Sequence, residues 1–70
     1  MKEYTGNVVY ELRVNMNLTQ EDLAERVGVS RQTIIAIEKG NYTPSVLLAL
    51  KIAEVFKKPV ESIFSIRHAK

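Results

Sequence analysis

The stretch from Gln20 to Lys39 constrains this chain most. Two helix-length segments, Gln20 to Val27 and Arg31 to Lys39, are separated only by Gly28-Val29-Ser30. A link that short forces the two helices to cross sharply. It needs a small residue where they touch, a residue tolerant of positive φ at the corner, and an apolar plug in the turn. Ala24, Gly28 and Val29 supply these. Both segments carry start signals. Thr19 is an N-cap with Asp22 placed to return the bond as a capping box, flanked by the staple Leu18 and Leu23. Ser30 is the second N-cap, with Val29 and Ile34 as its staple. Leu23, Ala24 and Val27 then face inward on the first segment, and Ile34 and Ile37 on the second. Gly40 occupies the usual helix-stop position.

The flanking sequence supplies the rest of a core. A helix over Asn7 to Met16, capped by Asn7, puts Val9, Leu12, Arg13 and Met16 on one face. Asn17 stands where a left-handed residue would end it. A fourth helix begins at Thr43-Pro44-Ser45, where proline's missing N–H costs nothing. From Val46 to Phe56 its apolar residues cover most of the circumference, which predicts a central, buried helix. Pro59 prevents its continuation. Val60 to Phe64 reads as one further helical turn that closes the core with Ile63 and Phe64. The expectation is a single all-α domain over residues 1–70, with spare tails at 1–6 and 65–70.

Composition narrows the function classes. With 70 residues the chain is one small domain, and a core of that size favours oligomerisation as a source of stability. There is no cysteine and a single histidine, His68. That argues against a Cys- and His-rich zinc site and against a catalytic centre built on paired imidazoles, and no metal or cofactor is expected. No nucleophile–base spacing and no phosphate-cradling glycine loop point to an enzyme. A net charge of +2 permits a polyanionic partner without demanding one. The longest wholly apolar run, Val46 to Leu50, is too short to cross a bilayer, and the N-terminus lacks a signal peptide's apolar stretch. A cytoplasmic protein is expected.

Two helices joined so tightly form a helix-turn-helix, whose second helix can enter the major groove of DNA. The exposed face of that helix carries Arg31, Gln32, Thr33 and Ala36, with Ile35 at its edge. Arginine pairs bidentately with guanine and glutamine with adenine, while small Thr33 and Ala36 let the backbone approach the bases. The ordered set from Leu18-Thr19-Gln20-Glu21-Asp22-Leu23-Ala24 through Gly28-Val29-Ser30-Arg31-Gln32-Thr33-Ile34 resembles the phage repressor and Cro-like helix-turn-helix family. The likeness continues through Ile37-Glu38-Lys39-Gly40, Pro44-Ser45, and Leu50-Lys51-Ile52-Ala53 to Ile63-Phe64. It spans roughly Val9 to Phe64.

That resemblance implies a compact five-helix, lambda-repressor-like DNA-binding domain, a transcriptional regulator of repressor type, working as a homodimer on a palindromic double-stranded operator. It assigns base contacts to Arg31, Gln32 and Ala36, and sometimes to Thr33. It assigns phosphate contacts to Gln20, which also braces the start of the reading helix, and to the following loop, where Lys39, Asn41 and Tyr42 have suitable donors. Arg13 and Glu38 break the apolar pattern with opposite charges turned inward. The family places these positions in contact, which makes them a structural salt bridge.

Several apolar residues find no place in the monomer core: Leu47, Ile66, Val8, Tyr10 and Tyr4. They suggest a partner surface. The resemblance favours Ile63, Phe64 and Ile66 as the dimer interface. Phe64 and Ile66 also alternate like a short strand, so that the termini can pair, with Tyr4 beside Ile66. An antitoxin-like module that captures a toxin is the other reading. The short tails leave little for wrapping such a partner.

Overall fold

The computed structural model describes residues 2–69. Its elements are strand β1 (Lys2–Asn7), helices α1 (Val9–Asn15), α2 (Gln20–Val27), α3 (Arg31–Glu38) and α4 (Val46–Phe56), a 3-10 turn (Val60–Ser62) and strand β2 (Phe64–Ala69). Four α-helices and the short turn surround one core of Val9, Leu23, Ala24, Val27, Ile34, Ile37, Leu48, Ile52, Ala53, Phe56 and Ile63.

The capping signals at Thr19 and Ser30 act as written in the sequence, whereas the fourth helix is capped by Ser45 and leaves Pro44 outside its first turn. Thr19 accepts the Asp22 N–H, and Asp22 accepts the Thr19 N–H, each at 2.9 Å. Ser30 and Ser45 cap α3 and α4 by accepting the N–H of Thr33 and Leu48. Gly28 takes φ 76°, the left-handed conformation that lets three residues turn α2 into α3.

Several expectations are corrected. The fold is not strictly all-α, because the tails at 1–6 and 65–70 contribute to an antiparallel two-stranded ribbon; Met1 and Lys70 lie outside the described residues. Its register pairs Thr5 with Ile66 and Tyr4 with Arg67, one residue away from Tyr4 beside Ile66. The reason is a bond just inside the ladder: the Val8 N–H donates to the Ile63 carbonyl at 3.0 Å. Val9 and Ile63 are both core residues, and slipping the register by one would turn one strand's faces over.

The first helix starts at Val9 rather than Asn7, which ends β1 instead. Asn7 still serves the helix start, since its side-chain oxygen accepts the Val9 N–H at 3.1 Å. At the other end α1 stops at Asn15, and Asn17 turns the chain at φ 58°. Met16 therefore leaves the inward stripe and is exposed.

Helix α4 is buried on only one stripe, through Leu48, Ile52, Ala53 and Phe56. Val46, Leu47 and Leu50 are exposed, because no element of the described chain packs over them. The expected fifth helical turn is the 3-10 turn over Val60–Ser62. Ile63, which follows it, is only 2% exposed and belongs to the core.

Candidate nucleic-acid interface

Helix α3 is held from behind by a polar knot at its last residue. The Arg13 Nε donates to Glu38 Oε2 at 2.7 Å, and Arg13 Nη2 donates to Glu38 Oε1 at 3.2 Å. The remaining Arg13 nitrogen, Nη1, donates to the Leu18 carbonyl at 2.8 Å. Both side chains are about nine-tenths buried, 10% and 6% exposed. Two buried charges persist there because the planar guanidinium meets the carboxylate in a fork and its third nitrogen also finds an acceptor. The hydrogen bond to Glu38 raises the arginine's already high pKa, with burial working against it. The Tyr10 ring, which the apolar pattern left without a place, lies 5.3 Å from the guanidinium carbon. It covers the cation with its π face.

Gln20 joins the same knot. Its side-chain amide donates to Glu38 Oε1 at 3.1 Å. Gln20 therefore reaches the last residue of α3 and not its start, where the resemblance put the brace. An amide nitrogen carries two hydrogens, so one remains for an outside acceptor such as a phosphate oxygen. The Gln20–Glu38 contact and the Leu18 carbonyl are features that sequence spacing did not reveal.

The opposite side of α3 is open. Arg31 and Gln32 are exposed in its first turn, and Ile35 and Ala36 are half-buried beside them. Thr33 is half-buried, and its hydroxyl lies 3.1 Å from that of Ser30. Its polar group is thus engaged at the helix cap, and its methyl is left for contact. A groove lies between the end of α1, the start of α2 and Arg31, lined by Val14, Asn17, Thr19, Gln20 and Glu21 among others.

Past α3 the chain turns through a Schellman motif. Gly40, at φ 79°, donates its N–H to the Ile37 carbonyl, and Asn41 donates its N–H to Ala36, both at 2.9 Å. Lys39, Asn41 and Tyr42 stand exposed in this loop. Arg31, Gln32, Lys39, Asn41 and Tyr42 are therefore exposed donors in the first turn of α3 and in the loop that follows it. The described residues contain no group of three or more His, Cys, Asp or Glu that could hold a metal ion.

The residues expected at a dimer interface separate. Ile63 is in the core, whereas Phe64 is half-buried and Ile66 is 74% exposed. Asn7, read from the sequence as a helix cap alone, also donates its side-chain amide to the Ile37 carbonyl at 2.9 Å.

A family model described as helix-turn-helix matches residues 9–63. The chain belongs to the helix-turn-helix family. It is 69% identical over 48 residues to the uncharacterized HTH-type transcriptional regulator MJ0272 of Methanocaldococcus jannaschii, an alignment covering 69% of this chain and 73% of that protein. It is 55% identical over 58 residues to the uncharacterized HTH-type transcriptional regulator YgzD of Bacillus subtilis, covering 83% of this chain and 88% of that one. Among solved structures, the restriction-modification controller protein C.AhdI from Aeromonas hydrophila superposes with a TM-score of 0.71 at 30% identity. That match covers 77% of this chain and 82% of the other. In this helix-turn-helix protein, α2 and α3 are the helices that give the family its name. No helix among the described residues is long and apolar enough to cross a membrane.

Proposed function

We propose that this helix-turn-helix transcriptional regulator binds a specific double-stranded operator by laying α3 in the major groove. Arg31 and Gln32 read base edges, Ala36 allows close approach, and Thr33 offers its methyl group. Gln20, Lys39, Asn41 and Tyr42 hold the phosphates on either side and set the register of the helix without reading sequence. The work is binding and not catalysis, done in the cytoplasm, and it represses by occupying the operator. The observation that carries the reading is the pairing of an open Arg31–Gln32 turn with a helix whose far end is clamped by Arg13 and Glu38.

The operator is read by two copies. One helix covers only a few base pairs, and a two-fold pair reads a palindrome with half-sites about 34 Å apart. Support for a pairing face comes from a groove of about 250 Å³ lined by Thr5, Pro44, Val46, Leu50, Val60 and Phe64 among others. Ile66 sits opposite Thr5 in the ribbon and extends this apolar surface. Phe64 and Ile66 therefore stay in the proposed interface, Val46 and Leu50 join them, and Ile63 leaves it. Selection of bound sequences from a random DNA pool tests the reading. A palindromic consensus is expected, and recovery of unselected sequence would refute it.

A further inference from the structure

We infer that Asn7 is a positioning residue for DNA recognition, tying the backbone at the end of α3 to the terminal ribbon. The inference rests on the DNA-binding reading above.

Asn7 ends β1 opposite Phe64. Its side-chain oxygen accepts the Val9 N–H at 3.1 Å, and its side-chain nitrogen donates to the Ile37 carbonyl at 2.9 Å, thirty residues away. The same carbonyl accepts the Gly40 N–H. Both of its lone pairs are then used, one by the turn that leaves α3 and one by β1. The loop that follows carries Lys39, Asn41 and Tyr42. At its far end the Thr43 hydroxyl lies 3.4 Å from that of Thr5, on the same strand. Two contacts to β1 thus bracket the loop.

This hold differs in kind from the Arg13–Glu38 pair. The pair grips a side chain at the end of α3, whereas Asn7 grips a main-chain carbonyl and so fixes the backbone where α3 passes into the loop. Capping α1 alone would not need an amide, because aspartate or serine accepts the Val9 N–H equally well. Asparagine accepts at one atom and donates from another, so it spans two backbone groups that a single hydroxyl oxygen would have to reach together.

The test uses the full chain carrying Asn7→Asp or Asn7→Ser. Both variants keep an acceptor for α1. Aspartate sets an oxygen against the Ile37 carbonyl, and serine is too short to span the gap. Native-state amide exchange should quicken about five- to tenfold at Gly40 and Asn41, the size of one lost hydrogen bond, with the α1 amides unchanged. Affinity for the selected operator should fall by a similar factor, with less than a twofold loss on an unrelated duplex. Unchanged protection at Gly40 and Asn41 would overturn the tether. Equal losses on both duplexes would overturn its role in recognition. A wild-type protein that binds all duplexes equally is the separate failure of the DNA-binding reading, and the exchange measurement still decides the tether.

Discussion

Arg13 on α1 and Glu38 at the end of α3 meet through two hydrogen bonds, of 2.7 and 3.2 Å, with both side chains buried. Removing either partner strands the other charge away from water, which costs about 3–5 kcal/mol in such settings. Arg13→Met and Glu38→Gln should each destabilise strongly, and the double variant should recover a large part of the loss. A double-mutant cycle on urea unfolding measures the coupling. Strictly additive losses would mean that the two groups do not depend on each other.

The capping box at the start of α2 carries a pH signature. The Thr19 N–H bonded to the Asp22 carboxylate, helped by the Thr19 side chain, holds that carboxyl below the usual aspartate range. A depressed folded-state pKa stabilises the protein above the unfolded value, about 3.9, and that stabilisation is lost as pH falls through the lower folded value. Asp22→Asn should therefore flatten the acid limb of stability below about pH 4 and leave the neutral limb parallel. An acid limb of unchanged slope would remove Asp22 from the account.

What the sequence disclosed was local. Thr19, Ser30, Gly28 and Gly40 act through neighbours within five residues, so their roles follow from spacing alone. Arg13 and Glu38 are distant: charges breaking two apolar stripes mark them out, and the family resemblance makes them partners. Asn7 left no comparable mark: it reads as an ordinary cap, and its second bond depends on where α3 ends in space. The ribbon was half-visible. Alternation at Phe64 and Ile66 suggested a strand, but the register depends on Val8 bonding to Ile63, a contact between chain ends. Ile63 reads both as closing the core and as facing a partner, because an apolar residue near a terminus carries the same pattern in either place, and the structure buries it in the core.

Lys39 is exposed in the loop after α3, where only a cation would displace counterions condensed on DNA. Lys39→Gln should lower the slope of log affinity against log salt by about one unit, while Asn41→Ala should weaken binding without altering that slope. Titrations across a salt series read both. An unaltered slope for Lys39→Gln would take this residue off the phosphates.

Ile66 is the most exposed apolar residue of β2, beside the groove formed by Val46, Leu50 and Phe64. Burying an isoleucine contributes about 1.5–3 kcal/mol, so Ile66→Asp should raise the dimer dissociation constant at least about tenfold. Sedimentation equilibrium at micromolar concentration checks this. A wild type that stays monomeric both free and on a palindromic site would refute the paired reading, and an undisturbed dimer of Ile66→Asp would move the interface elsewhere.

Sequence reading by the first turn of α3 is the central claim. Its most direct measurement compares the wild type with Arg31→Ala and Gln32→Ala on the selected operator and on duplexes altered one base pair at a time. Each variant should lose about 1–3 kcal/mol on the operator and become indifferent to the base at one position of each half-site, a different position for each variant. The other positions should keep their preferences. Variants that retain full affinity and the whole wild-type preference would show that α3 does not read the DNA.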